Sequence, residues 1–243
     1  MSKIINILII IPCFNERENI IALHKEIHSV TYPSNYNIVP IFINDCSTDD
    51  TKQLLDLHKF NHINLSVNLG IGGAVQTGYK YALRNGFDIA VQMDGDGQHP
   101  PSELEKIVFP LFVNEADVSI GSRYITNQGF QSSALRRIGI RYFKWLNKAL
   151  TGLTIHDSTS GYRALNRKAL EVVAHYYPDD YPESEAIILY HLTNLRIKEV
   201  GVTMRERQGG ESSIKALKTI YYMVKVTLST LFLYISRLKS SNE

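Results

Sequence analysis

"VQMDGDGQHPP", residues 91–101, sets two aspartates one residue apart, with glycines beside them, directly after a run of apolar residues. A buried strand that ends by projecting a pair of carboxylates points to chemistry at that strand's carboxyl end. In an open parallel sheet this is the edge where ligands bind. The neighbouring sequence argues for such a sheet. Short β-branched runs at 4–11, 37–43, 63–67, 87–93 and 117–120 alternate with amphipathic stretches at 16–30, 48–59, 71–84 and 102–113. That alternation predicts an α/β fold, a mostly parallel sheet flanked by helices. Asn15 before Glu16, with Glu18 three residues further on, reads as a capping-box-like start to the first helix, and Asn85-Gly86 stops the third. Scrutiny then falls on the segments that follow the strands: 12–16, 44–49, 68–73, 94–98 and 121–124.

Bulk properties set the outer limits. A chain of 243 residues, 44% hydrophobic and 21% charged, can bury one full core. A net charge of +2 gives no global signature of nucleic-acid binding. Cys13 and Cys46 fit neither a disulfide framework nor a zinc site, which favours a reducing compartment. The run "IINILIII" at 4–11 is too short to cross a bilayer and leads into the turn "PCFNE" rather than a cleavage site, so it reads as a buried strand.

Beyond residue 124 the pattern changes. Residues 132–152 are helical, with Arg137, Arg141, Lys144 and Lys148 forming a basic stripe beside an apolar stripe of Ile138, Tyr142, Trp145 and Ala149. "DSTSGYRAL" (157–165), a second pair of helices, a strand at 197–203, the polar loop "RERQGGESS" (205–213) and a long helical stretch at 214–238 follow. No repeat or low-complexity linker separates the halves, so the second is expected to complete the first.

Two carboxylates at alternate positions of a turn converge on one hard divalent cation, and the glycines allow close approach. With several coordination positions left over, Asp94 and Asp96 suit Mg²⁺ or Mn²⁺ shared with a substrate diphosphate. The rival readings are a solvated Asp-Gly turn and a calcium loop through Asp94, Asp96, Gln98 and Glu105. The calcium loop lacks its glycine, the position being His99, and follows a strand where a helix is required. "NDCSTDDT" (44–51) supplies Asp45, Ser47 and Asp49, able to accept from a base or ribose, although capping alone accounts for Thr48 or Asp49. "NLGIGGAVQTGYKYA" (68–82) puts glycines, Gly73 among them, at a helix start where N–H groups can meet an anion or a sugar.

Taken together and in order, "IPCFNERENI", "INDCSTDDT", "NLGIGGAVQTGYKYA", "QMDGDGQHPP", "IGSRY", "DSTSGYRAL" and "RERQGGESSI" resemble the family 2 inverting glycosyltransferases of the GT-A fold, in particular the dolichyl- and polyprenyl-phosphate sugar synthases. The resemblance covers nearly all of residues 4–214. It implies a GT-A domain over 1–213, with a nucleotide-sugar half (1–124) and an acceptor half (125–213), and a helical tail over 214–243. It also implies that Pro12, Phe14, Glu16 and Asp45 line the nucleotide site, that Asp94 and Asp96 bind the metal, and that Gln98 is a further ligand. One departure is Asn44, where the family usually carries an aspartate. An amide both donates and accepts, so contacts to the base are altered and the choice between a UDP- and a GDP-linked donor stays open.

A lipid phosphate acceptor is already an anion and needs cationic positioning more than a base, whereas a sugar hydroxyl needs a base. Arg123, Arg137, Arg163 and Arg207 form a candidate phosphate cluster, with Arg123, Arg137 and Arg207 the best family matches. Asp157, Glu183 and Glu185 are candidate bases, although Asp157 equally suits fixing its own loop and Glu183 suits a helix start. His99 and His156 lack ligand-spaced partners and read as ordinary polar residues. In the tail, Leu217, Tyr221, Val224, Leu228, Leu231 and Ile235 share one face and Lys215, Lys218 and Lys225 another, which fits a helix lying on a membrane or, alternatively, a core or dimer helix. The expected activity is metal-dependent, inverting transfer of a sugar to a polyprenyl phosphate. Transfer to a glycan hydroxyl and a non-catalytic sugar-nucleotide-binding module are the alternatives. Because sugar nucleotides are made in the cytosol and no signal peptide is visible, a cytoplasmic site on the cytosolic face of a membrane is expected.

Overall fold

The computed structural model describes residues 3–126, 134–179, 182–206 and 216–240. Seven strands form one sheet: β1 (Ile5–Cys13), β2 (Tyr36–Asn44), β3 (His62–Asn64), β4 (Ile89–Gln92), β5 (Val118–Ser122), β6 (Arg163–Asn166) and β7 (Ile197–Gly201). Their spatial order is β3-β2-β1-β4-β6-β5-β7. Every neighbouring pair is parallel except those made by β6, which runs antiparallel to both β4 and β5. The helices are α1 (Ile20–Ser29), α2 (Thr51–Leu57), α3 (Gly70–Arg84), α4 (Leu104–Phe112), α5 (Arg123–Thr126), α6 (Ala134–Thr151), α7 (Arg167–His175), α8 (Pro182–Leu192) and α9 (Ala216–Ser240). The expected mostly parallel α/β sheet is therefore the architecture found.

The unbroken apolar run of β1 follows from burial on both faces. Leu8 and Ile10 pack with Val75 and Tyr79 of α3 and Leu170 of α7, while Ile7, Ile9 and Ile11 pack with Leu23 of α1 and Leu104 and Val108 of α4. Register brings the chemical residues to one edge. Cys13 pairs with Asn44 and Ile10 with Gln92, so β1, β2 and β4 end close together. Because β6 is antiparallel and Gln92 pairs with Arg163, the loop that precedes β6 arrives at that same edge.

Three local readings are corrected, and one strand is added that the sequence did not disclose. Helix α1 begins at Ile20 with Asn19 as its N-cap, and Asn15 instead stands at φ 59° in the preceding turn. Strand β6 has only four residues, "RALN", too few to show a period. On α6 the expected apolar stripe faces outward: Ile138 is 52% and Trp145 64% exposed, whereas Ile140, Phe143 and Leu146 are buried. On α9, Val226, Thr230 and Leu233 face inward, leaving Val224, Leu228 and Ile235 exposed. The two helices meet through Phe143, Leu146 and Val226, and through a 2.9 Å hydrogen bond between the Tyr142 and Thr227 hydroxyls.

Candidate active site

The turn after β4 is tightly prearranged. Asp94 Oδ1 accepts from Gln92 Nε2 at 3.1 Å, and the Asp94 N–H donates to His99 Nδ1 at 3.0 Å. His99 is buried, its ring stacked on Tyr162 with centroids 4.8 Å apart and planes 5° from parallel. Tyr162 Oη in turn donates to the Pro100 carbonyl at 3.0 Å. This histidine shapes the carboxylate turn, a role its isolation in sequence concealed. Asp96 is buried, and its Oδ1 accepts the Gln98 N–H at 3.0 Å in a local side-chain turn. Gln98 also meets Arg205: its carbonyl accepts the Arg205 N–H at 3.0 Å, and its Nε2 lies 3.4 Å from the Arg205 carbonyl.

Among the described residues, no three or more His, Cys, Asp or Glu side chains cluster as a metal site. The donor set that does exist, the carboxylates of Asp94 and Asp96, is of hard oxygens on one turn. That fits a Mg²⁺ or Mn²⁺ ion whose coordination is completed by a substrate diphosphate and water.

Beside this turn, the loops after β1 and β2 are stitched together by Asn15. Its Oδ1 accepts from the Thr48 N–H at 2.8 Å, the Asp49 N–H at 3.3 Å and the Thr48 hydroxyl at 3.3 Å, while its own N–H donates to Ser47 Oγ at 3.0 Å. Glu16 is buried, accepting from Asn19 Nδ2 at 2.7 Å, and Pro12 is buried next to an exposed Phe14. Asn44 directs its amide inward: Nδ2 donates to Asn64 Oδ1 at 2.8 Å and Oδ1 accepts the Ser47 N–H at 3.2 Å. Asp45 Oδ1 accepts the Leu69 N–H at 2.7 Å, at the start of α3. Burial raises the Asp45 carboxyl above its ordinary range, opposed by the N–H groups of Leu69 and Gly70. Two further donors at the start of α3 have protein partners: Gly70 N–H meets Asn68 Oδ1 at 3.1 Å and Gly72 N–H meets the Asp179 carbonyl at 3.0 Å. A Cβ on Gly72 would lie 2.0 Å from the Pro178 carbonyl oxygen, so that glycine lets the 178–179 segment close over the helix start. Gly73, next along, is half-buried.

The residues expected on the acceptor side divide. Arg123 is buried and bidentate to Asp157, with Nε to Oδ2 and Nη2 to Oδ1 both at 2.7 Å, and its backbone N–H also reaches Oδ2. Burial alone would lower the Arg123 pKa, but the Asp157 carboxylate outweighs it and raises it, with a contribution from Asp94. From β7, Glu199 receives the N–H groups of His156 and Asp157 at 2.8 and 2.6 Å. Arg163 is fully buried and grips carbonyls: Ser160 at 2.8 Å, Ser158 at 3.1 Å and Glu183 at 2.6 Å. In this arrangement it braces backbone rather than facing solvent. The Glu183 side chain is half-buried at the start of α8 and Glu185 is buried. Arg137 is exposed on α6. Arg207 lies outside the described residues.

With this geometry established, comparison identifies the class. The sequence pattern of "Glycosyl transferase family 2" matches residues 8–173. The chain belongs to that family and is a glycosyltransferase. It is 31% identical over 229 residues to the polyprenol monophosphomannose synthase of Mycolicibacterium smegmatis, covering 90% of this chain and 84% of the relative. It is also 31% identical over 241 residues to the UDP-N-acetylglucosamine–dolichyl-phosphate N-acetylglucosaminyltransferase of Methanococcus voltae, covering 91% and 89%. Among solved structures, the glucosyl-3-phosphoglycerate synthase of Mycobacterium tuberculosis, crystallised with Mn²⁺, UDP and glucosyl-3-phosphoglycerate, superposes with a TM-score of 0.68 at 19% identity, covering 94% of this chain and 79% of that one. That likeness establishes the GT-A fold.

Proposed function

We propose that the protein transfers a sugar, with inversion, from a nucleoside-diphosphate donor to a polyprenyl phosphate in a reaction that requires a divalent cation. The observation that carries this reading is the meeting, at one sheet edge, of the Asp94–Asp96 turn, the loops joined by Asn15, and the arginine-braced loop before β6. Relatives named for polyprenol and dolichyl-phosphate substrates support the acceptor class. Asp94 and Asp96 hold the cation, which when bound offsets charge on the departing diphosphate. Pro12, Phe14, Glu16, Asp45 and Ser47 line the nucleotide side, and Asn44 acts there by fixing the 44–47 turn. The engagement of both Asp157 oxygens by Arg123 favours an acceptor that is already anionic over a hydroxyl needing a base. The exposed Arg137 is the described cation assigned to the acceptor phosphate, whereas Arg123, expected there, is buried against Asp157 and acts by fixing the loop before β6.

The outward apolar residues of α6 and α9, with Arg137, Arg141 and Lys148 exposed on α6, support seating these helices on an anionic lipid surface. No described helix is long and apolar enough to cross a membrane.

The test is to incubate the purified chain with UDP- and GDP-linked sugars, Mg²⁺ or Mn²⁺, with and without polyprenyl phosphate. Transfer is expected only when lipid phosphate and cation are both present, and a fall of about 10³-fold or more is expected in Asp94→Asn/Asp96→Asn. Undiminished transfer in chelator would refute the cation role, and equal transfer to a neutral glycan would refute the acceptor class.

A further inference from the structure

Gly161 lies against Asp94 with no side chain between them. A Cβ on it would stand 2.8 Å from Gln92 Nε2 and 3.0 and 3.1 Å from the two Asp94 carboxylate oxygens. Gly161 does not adopt a positive φ, so the position calls for glycine because of space and not because of backbone conformation. At the same point, Gln92 Nε2 donates to Asp94 Oδ1 at 3.1 Å, so the amide, the carboxylate and Gly161 meet. Gln92 is itself buried in β4, leaving its amide little freedom.

The wall that carries Gly161 is rigidly held. Arg163 binds the carbonyls of Ser158 and Ser160, the Tyr162 N–H donates to Ser160 Oγ at 3.2 Å, and Arg123 locks Asp157 at the start of the same loop. Moving Gly161 to make room for a methyl group would disturb all of these, so the Gln92 amide and the Asp94 carboxylate, which the methyl group would meet first, are the parts that must give way.

We propose that Gln92 and Gly161 are positioning residues that clamp the Asp94 carboxylate in its cation-binding orientation, so that the loop before β6 sets the affinity of the donor-side cation. This rests on Asp94 being a cation ligand.

Mn²⁺ binding to the purified full chain, followed by the electron paramagnetic resonance of free Mn²⁺, tests the clamp independently of activity. Gly161→Ala is expected to weaken Mn²⁺ at least tenfold, and Gln92→Met, which keeps the bulk and removes the donor, three- to tenfold, with thermal midpoints near that of the unaltered chain. Gly139→Ala, whose Cβ would meet nothing within 4 Å, is expected to change neither. Unaltered Mn²⁺ affinity in Gly161→Ala and Gln92→Met, with binding lost in Asp94→Asn, overturns the clamp and leaves the cation reading standing. Full Mn²⁺ binding by Asp94→Asn overturns both. If Gly161→Ala does not fold, Gln92→Met decides alone, and wild-type affinity there rejects the proposal.

Discussion

Asn15 and Cys46 occupy the left-handed region, at φ 59° and 58°, in the two loops assigned to the nucleotide. Asn15 tolerates that conformation and uses its side chain to hold the neighbouring loop, whereas alanine would be strained there by about 1–2 kcal/mol and would leave the Thr48 and Asp49 N–H groups without their acceptor. Asn15→Ala is therefore expected to raise the donor KM about tenfold, the equivalent of ~1.4 kcal/mol. Asn15→Gly, which relieves the strain only, should lie between. Equal KM values for the three proteins in initial-rate measurements would show that Asn15 does not organise the site. The cysteines give a second check. Cys13 is buried, and burial first, then the charges of Glu16, Asp49 and Asp45, push its thiol far above the usual range, so it should be inert. Cys46 is only half-buried. Iodoacetamide should modify one thiol per native chain, at Cys46 by peptide mapping, and bound nucleoside diphosphate should slow it several-fold. Labelling unaffected by nucleotide would move the nucleotide away from the 44–49 loop.

Elements differed in how much their sequences disclosed. β1, β2 and β4 were legible because burial on both faces leaves continuous β-branched runs, and the Asp94–Asp96 pair was legible because it follows one of them. β6 was not, since its four residues show no period and its antiparallel insertion is set by pairing with β4 and β5. Likewise the surroundings of Arg163 were not legible: a lone arginine looks equally suited to a phosphate or to carbonyls, and only its burial against the Ser158, Ser160 and Glu183 carbonyls distinguishes them. The helical period located α6 and α9 but not the direction of their apolar faces, because each has apolar residues on two sides. That ambiguity is itself informative. Leu228 and Phe232 of α9 are 63% and 76% exposed, so Leu228→Glu/Phe232→Glu should leave the thermal midpoint nearly unchanged, as surface changes do, within about 0.5 kcal/mol. The same variant should lose most co-sedimentation with vesicles containing phosphatidylglycerol. Undiminished vesicle binding would remove α9 from the membrane contact, and a shift from dimer to monomer in light scattering would assign the face to a second copy of the chain.

At the scale of the whole molecule, the half of the sheet built from β5, β6 and β7 is held by one buried carboxylate. Asp117, just before β5, accepts from Arg196 through its backbone N–H at 2.9 Å and its side chain at 3.1 and 3.0 Å, from Asn166 at 3.0 Å and from Lys168 at 3.3 Å. These donors come from the end of β6, the start of α7 and the approach to β7, so a single anion ties β5 to β6 and β7. Burial would raise its pKa, but the donors of Arg196, with Asn166 and Lys168, prevail and hold it far below the usual carboxylate range. A depressed folded-state pKa stabilises fully above the unfolded value of about 4, and the contribution is lost as pH falls below that value toward the folded one. Asp117→Asn should accordingly cost about 2–3 kcal/mol in urea unfolding at pH 7. Its stability should fall less steeply than that of the unaltered chain between about pH 4 and 2, so the two curves converge in acid. Parallel curves across that interval would mean that Asp117 titrates alike in the folded and unfolded chains, and the acid sensitivity of the fold would then have to arise elsewhere.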